Sequence, residues 1–360
     1  MIDRRTFLNL AAASIATTSI VSCSGTERRP AVGVPRSAFD EHSTAEEVTA
    51  GVDLSGKLAL VTGCTSGIGF ETMRVLAMRG AWVVGTSRAL PRAEAACARV
   101  NGTTSALQLE LSDFESVIAC ANAIRSINLP LDILICNAGY WAAGGQRKLV
   151  NGVEKHFAVN HLGHTVLVNR LLGRLYMSRQ GRIVMVSSRA AYTRAPERGI
   201  EFDNLDGSED YKDRQAYGQS KLANALYSLH LAKLLRGTRI TTNALHPGVI
   251  NTELFRNEGR LFRAAISAAT SLGYGKTVEE GAATSCFVAT HPSLSATSGE
   301  FFEDCNAVVV AGDNHLHDEV MAEKLWQVSE DLTREHLVSH TGPDFNDFER
   351  AARERRANKK

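Results

Sequence analysis

The sequence predicts one α/β domain: a doubly wound parallel sheet with helices on both faces. Short, continuously apolar runs of strand length alternate with helical patterns along most of the chain. Such runs, without polar alternation, mark strands covered on both sides. The first run leads directly into a glycine-rich turn that opens a helix. At 360 residues and 44% hydrophobic content, the chain can bury one sizeable core.

The first segment is a targeting signal rather than part of the fold. Met1 to Arg5 is short and basic, and residues 7–21 are apolar and rich in small side chains, short and weakly hydrophobic for a stable membrane span. Asp3-Arg4-Arg5-Thr6-Phe7-Leu8 resembles the twin-arginine export signal of bacteria, and Ile20-Val21-Ser22-Cys23 resembles a lipoprotein processing site that would place a lipid on Cys23. A periplasmic or envelope location follows, membrane-anchored if Cys23 is lipidated; an accidental arginine pair would leave the protein in the cytoplasm. Residues 24–50 read as a polar linker and a short helix, with Ser43 or Thr44 as cap and Glu46 and Glu47 at its positive end. The domain is expected over 51–335, followed by a charged tail over 336–360.

Within the domain the strand candidates are 58–62, 81–86, 106–111, 131–136, 183–187, 240–246 and 299–302; helices are expected over 67–79, 113–127, 161–179 and 217–236. Ligands in this architecture gather at the carboxyl ends of the strands. Net charge of +1 supplies no broad field for nucleic acid. The seven cysteines form no Cys-x-x-Cys pair, the histidines form no His-Glu-x-x-His motif, and His161 with His164 lacks a third ligand; no metal site is expected.

The turn reads Thr62-Gly63-Cys64-Thr65-Ser66-Gly67-Ile68-Gly69. Glycines let the backbone approach a pyrophosphate, and a helix N-terminus offers free N–H groups to its charge. The second constellation is Tyr217-Gly218-Gln219-Ser220-Lys221, whose phenol and ammonium share a helix face at four-residue spacing. A positive neighbour would lower the phenol pKa toward neutrality. Alone, such a match is weak; its context decides.

Thr-Gly-x-x-x-Gly-x-Gly after strand one, Asn137-Ala138-Gly139 after strand four, Asn160, Ser187-Ser188 after strand five and Tyr217-x-x-x-Lys221 come in the order of the short-chain dehydrogenase/reductase family. The resemblance covers about residues 43 to 335. It looks nearest to the retinol-dehydrogenase-like branch, on Asp53-Leu54-Ser55-Gly56-Lys57, Val159-Asn160-His161-Leu162-Gly163-His164, Gly218-Gln219-Ser220-Lys221-Leu222-Ala223-Asn224 and His246-Pro247-Gly248. It implies a Rossmann fold and an NAD(P)-dependent alcohol dehydrogenase or carbonyl reductase, often a dimer or tetramer. Tyr217 would be the acid/base, Lys221 would hold the nicotinamide ribose and lower the phenol pKa, Ser188 would bond the substrate oxygen, and Asn160 would position a relay water. Gly63, Thr65, Ser66, Gly67, Ile68 and Gly69 would hold the phosphates, and Asn137, Ala138 and Gly139 would line the dinucleotide. Glu110, where the family commonly has Asp, would contact the adenine. Pro247, Gly248, Ile250 and Thr252 would hold the carboxamide.

Strand two ends Gly85-Thr86-Ser87-Arg88 without a carboxylate, so nothing repels a 2′-phosphate and Arg88 can pair with it; NADP(H) is favoured over NAD(H). The segment from Glu253 to Gly275 falls where the family has a mobile substrate loop and carries Leu254, Phe255, Leu261, Phe262 and Tyr274, which suggests a lipophilic small-molecule substrate. The stretch from Pro196 to Gln215, with Glu201-Phe202-Asp203-Asn204-Leu205, reads as a loop insertion beside the active site. A non-catalytic dinucleotide sensor or scaffold is the alternative. Retention of Tyr217, Lys221, Ser188 and Asn160 together speaks against it.

Overall fold

The computed structural model describes residues 27–142, 144–250 and 275–338. The export-signal residues, Cys23, Thr252, the apolar segment 253–274 and most of the charged tail lie outside the described residues.

The strands in chain order are β1 (Arg28–Pro30), β2 (Leu58–Val61), β3 (Trp82–Ser87), β4 (Thr104–Gln108), β5 (Ile133–Cys136), β6 (Leu149–Val150), β7 (Val153–Glu154), β8 (Gly181–Val186), β9 (Ile240–His246), β10 (Phe301–Glu303) and β11 (Asn306–Val310). A nine-stranded sheet runs β1-β11-β10-β9-β8-β5-β2-β3-β4. Every neighbouring pair from β4 to β10 is parallel. The strand order reverses at β2, between β3 and β5, and there a crevice opens at the carboxyl ends.

The helices are α1 (Ala45–Val48), α2 (Gly67–Met78), α3 (Leu90–Cys97), α4 (Phe114–Ser126), α5 (Gly163–Tyr176), α6 (Ala190–Thr193), α7 (Asp213–Leu234), α8 (Val278–Thr290) and α9 (Glu319–Thr333). The two-residue period of the strands sorts their side chains into two cores. Leu58, Leu60, Leu134, Cys136, Ile183 and Met185 join α4, α5 and α7 on one face. Ala59, Val61, Ile133, Ile135, Val184 and Val186 join α1, α2, α3 and α8 on the other. The continuous apolar runs are therefore strands buried on both sides. The six described cysteines are all buried and unpaired, small side chains of these cores.

Thr44 caps α1 reciprocally with Glu47, as the sequence suggests. Other stretches differ from the expectation. Within the stretch read as linker, Arg28–Pro30 pairs antiparallel with β11, and Asn306 bonds Ser37 N–H at 3.0 Å and Phe39 C=O at 2.9 Å. A three-residue edge strand held by main-chain bonds has no apolar periodicity to reveal it. β4 ends at Gln108 rather than residue 111, because its register with β3 closes at Ser87; Leu109 and Leu111 enter the core from the following loop. The helix expected from 161 begins as a π-helical segment, Ala158–Leu162, that runs into α5.

Candidate active site

The turn after β2 is shaped by close approach. Gly63 has φ of +73°, and a Cβ there would lie 3.0 Å from Ala138 Cα. A Cβ on Gly69 would collide with the Gly63 carbonyl oxygen and the Asn137 side-chain amide. Ser66 caps α2 with an extended backbone and no side-chain bond, and the first turn carries no acidic residue. The N–H groups of that turn are therefore left for an anion. Thr65, Ser66, Gly67 and Ile68 line the turn half-buried.

Thr62 ties this turn to the next strand end. Its hydroxyl accepts from the Asn137 and Ala138 N–H groups, both at 2.9 Å, and Asn137 donates its amide to the Thr62 carbonyl at 2.8 Å. The same hydroxyl lies 3.0 Å from His164 Nε2, and His164 Nδ1 donates to the Asn160 carbonyl at 2.9 Å. Burial pulls the His164 pKa down to about 4, so the imidazole stays neutral with its proton on Nδ1. The sequence showed His164 as one of two histidines at helical spacing and as the end of a motif shared with the branch, without a role of its own. Its role here is to join the phosphate turn to the π-helical segment.

Asn160 sits in that segment, fully buried. Its side chain accepts from the Tyr140 N–H at 2.6 Å and donates to the Tyr140 carbonyl at 3.1 Å and to Ser220 Oγ at 2.9 Å. Both amide donors are thus committed to protein groups, and Asn160 pins the turn after β5 to α7. Gly139 keeps that turn close to the helix: a Cβ there would stand 3.4 Å from Lys221 Nζ and 3.7 Å from Asn160 Oδ1.

α7 projects Tyr217 and Lys221 toward the crevice. Tyr217 is 8% exposed, and the Ser188 hydroxyl lies near enough to its own to favour the phenolate. Ser187 instead donates to the Lys221 carbonyl at 2.6 Å, fastening α7 to β8. Lys221 Nζ donates to the Val186 carbonyl at 3.0 Å and stands 5.8 Å from the Tyr217 ring centre. The expected lowering of the phenol pKa is not found in this arrangement. Burial raises Tyr217 to about 12, opposed only by the nearby Ser188 hydroxyl, and burial also pulls Lys221 down to about 8. An ammonium turned to a backbone carbonyl, itself desolvated, offers the phenol little charge.

Other expected contacts are also placed. Arg88, just past β3, is exposed and has no ion pair among the described residues; its main-chain oxygen accepts from Gln108 at 3.2 Å. Glu110 turns its carboxylate back onto its own loop, accepting from Ser112 N–H at 3.0 Å and Ser112 Oγ at 2.7 Å, so the oxygen expected at the adenine already has partners. Pro247 is buried, Gly248 has φ of +100°, and buried Ile250 reaches across Gly281 toward Ile68. The carboxamide segment therefore meets the phosphate turn. The crevice suits a dinucleotide: glycines where a side chain would collide, a bare helix N-terminus, and a lysine at its inner end.

Residues 57–200 match the short chain dehydrogenase family profile. The chain is 41% identical over 306 residues to "Short-chain dehydrogenase TIC 32 A, chloroplastic" of Brassica napus, covering 82% of this chain and 94% of that one. The chain belongs to the short-chain dehydrogenase/reductase family. Retinol dehydrogenase 12 of Bos taurus is 38% identical over 78% of this chain and 87% of its own, which places the chain in the retinol-dehydrogenase-like branch. Among solved structures, a putative uncharacterized protein from Mycobacterium paratuberculosis superposes with a TM-score of 0.62 at 29% identity, over 81% of this chain and 98% of that one. A putative NAD(P)-dependent gluconate 5-dehydrogenase from Beutenbergia cavernae, solved with bound NADP, superposes with a TM-score of 0.54 at 25% identity, over 69% of this chain and 95% of that one. As a family member the protein is an NAD(P)-dependent oxidoreductase.

Three residues that the sequence did not single out meet beside Tyr217. Trp141 and His156 pack their rings against Tyr217, and Glu154 holds the His156 ring. Only the two buried polar groups within three residues of one another, next to Asn160 in sequence, could have signalled it.

Proposed function

We propose that the protein interconverts an alcohol and its aldehyde or ketone, with NADP(H) preferred over NAD(H) and a lipophilic substrate. The observation that carries this reading is the buried Tyr217 hydroxyl beside Ser188, with Lys221 one turn along the same helix. NADP(H) bound in the crevice supplies or accepts the hydride. Gly63 to Gly69, Asn137 to Gly139, Gly248 and Ile250 would hold it, with Lys221 at the ribose.

Two hydroxyls converge where Ser188 and Tyr217 meet, so a carbonyl oxygen lying there accepts two hydrogen bonds. Each stabilises charge as it builds, and losing one such donor typically costs about 10²–10³ in rate. In reduction, Tyr217 gives its proton to that oxygen; a pKa of about 12 keeps the proton on the phenol at neutral pH. In oxidation the phenolate takes the alcohol proton, so this direction strengthens as pH rises. A proton path through Lys221 would return the phenol to its starting state.

The NADP(H) preference is supported by Arg88, exposed and without an ion pair among the described residues, beside a strand end without carboxylates. The lipophilic substrate is supported by the relatives named retinol dehydrogenase and by the aromatic surroundings of Tyr217. An absorbance assay with NADPH and a panel of apolar aldehydes and ketones tests the function. Turnover is expected; tight NADPH binding with no turnover on any member would favour a nucleotide sensor.

We also propose export by the twin-arginine route with a lipid on Cys23. β1 begins at Arg28, so such a lipid would hold the sheet edge within roughly 17 Å of the membrane surface. Without a soluble pool to recharge it there, the nucleotide would stay bound and cycle between two substrates. Envelope fractions should then yield protein carrying NADP, whereas recovery from the cytosol would remove this proposal.

A further inference from the structure

Tyr217 is flanked by a small apolar cluster separate from both cores, made with Trp141 and Ala190. Trp141 packs edge-on against the Tyr217 ring, centres 4.6 Å apart at 77°. Each of the three is between 7% and 8% exposed, so the indole and Ala190 shut most of the phenol off from solvent. The reacting oxygen must lie at the Tyr217–Ser188 pair. Whatever substituent it carries on the indole side has to pass that ring.

The indole does not sit there by packing alone. The next residue, Ala142, donates its N–H to His156 Nε2 at 3.4 Å, and His156 Nδ1 donates to Glu154 Oε1 at 2.9 Å. Glu154 and His156 are 3% and 1% exposed. The second Glu154 oxygen accepts from the His156 and Phe157 N–H groups at 2.8 and 3.2 Å. Tyr211, from the insertion after α6, donates to Glu154 Oε1 at 3.2 Å. A buried carboxylate with this many donors is fixed, and it fixes the imidazole, which in turn lies 6.0 Å from Tyr217 and 6.2 Å from Trp141. None of these atoms belongs to the nucleotide crevice.

We propose that Trp141 determines which substrates react, by limiting the bulk of the group next to the carbonyl, and that the Glu154–His156 pair is the positioning device that holds it against Tyr217. This rests on the alcohol–carbonyl reading. Slim carbonyl compounds such as hexanal and benzaldehyde pass the indole; 2,2-dimethylpropanal, branched next to the carbonyl, meets it. A pocket wall that rejects the extra methyl groups discriminates by roughly 10-fold or more.

The test is kcat/KM for these three aldehydes in the wild type and in Trp141→Ala, Trp141→Phe and His156→Gln, with NADPH affinity measured alongside. Trp141→Ala should raise the ratio of branched to slim substrate at least tenfold, through KM and kcat for the branched aldehyde, with NADPH affinity within twofold of wild type. Trp141→Phe, which keeps a ring against Tyr217, should raise it less and serves if the alanine variant does not fold. His156→Gln should shift the ratio in the same direction as Trp141→Phe, an effect that general loosening would not produce because it would weaken all three aldehydes alike. An unchanged ratio in the folded Trp141 variants would overturn the proposal. A wild type inactive on every carbonyl would remove the alcohol–carbonyl reading and this inference together, a result distinct from turnover with an unchanged ranking.

Discussion

On the Lys221 side of Tyr217, nearly every functional side chain is held by main-chain atoms. Thr62 accepts the Asn137 and Ala138 N–H groups, Asn160 grips both main-chain groups of Tyr140, and Lys221 binds the Val186 carbonyl. On the Trp141 side, the phenol is held by rings: an indole at 4.6 Å and an imidazole at 6.0 Å, themselves fixed by one buried carboxylate. Main-chain partners are the same whatever the neighbouring sequence, so the first half can be built only by a few residue types at set spacings. Ring packing can be met by many combinations, so the second half can be retuned without disturbing the first. The nucleotide side serves the chemistry, and the substrate side serves the choice of substrate.

Gly69→Ala attacks the first half where it has no slack. The added methyl group collides with the Gly63 carbonyl and with the Asn137 amide that clamps the turn. NADPH affinity should fall at least about 100-fold, a loss of roughly 2.7 kcal/mol, in a fluorescence titration. An alanine variant that binds NADPH normally would mean that the turn does not carry the nucleotide. Arg88→Ala should leave NADH use unchanged and weaken NADPH by about 10–100-fold, as expected for one charged hydrogen-bonding partner of a phosphate. Equal loss with both nucleotides would remove the 2′-phosphate role.

His164 gives a smaller effect with a pH signature. Its folded pKa, about 4, lies below the ordinary histidine value. The stability it contributes is therefore complete above about pH 6.5 and is lost as pH falls toward 4, because the unfolded chain binds the proton that the folded one refuses. Buried His161 and His246, each pulled to about 3, act in the same direction. Denaturant midpoints should drop steeply between pH 6.5 and 4. In His164→Gln the neutral-pH stability should be lower by about 1–3 kcal/mol, for the hydrogen-bond partners left in Thr62 and Asn160, and the acid-side drop should be shallower. A variant with an unchanged pH slope would show that this histidine is not held neutral by burial.

The same contrast explains what could be read from the amino-acid sequence. The parallel strands, the glycine turn and Tyr217 with Lys221 were legible because burial on both faces and close backbone approach restrict residue type. β1 and β11 were not, since this antiparallel margin of the sheet takes its order from main-chain pairing with whatever lies beside it. The direction of Lys221 was not legible either: helical spacing puts it near Tyr217, but the Val186 carbonyl and burial decide where its charge goes and leave the phenol at about 12 rather than near neutrality. Trp141, His156 and Glu154 carried no motif, because contacts among rings leave no fixed spacing. Glu110 pointed to adenine by position, yet Ser112 two residues on captures its carboxylate.

The most direct test falls on the Tyr217 hydroxyl as the proposed proton donor and acceptor. Tyr217→Phe keeps the ring against Trp141 and removes only the hydroxyl beside Ser188. Measured with NADPH and an aldehyde that the wild type reduces, the variant should bind NADPH with unchanged affinity and lose on the order of 10³-fold in kcat, in the range that positioned proton transfer contributes. Turnover within tenfold of wild type, with NADPH bound normally, would contradict it.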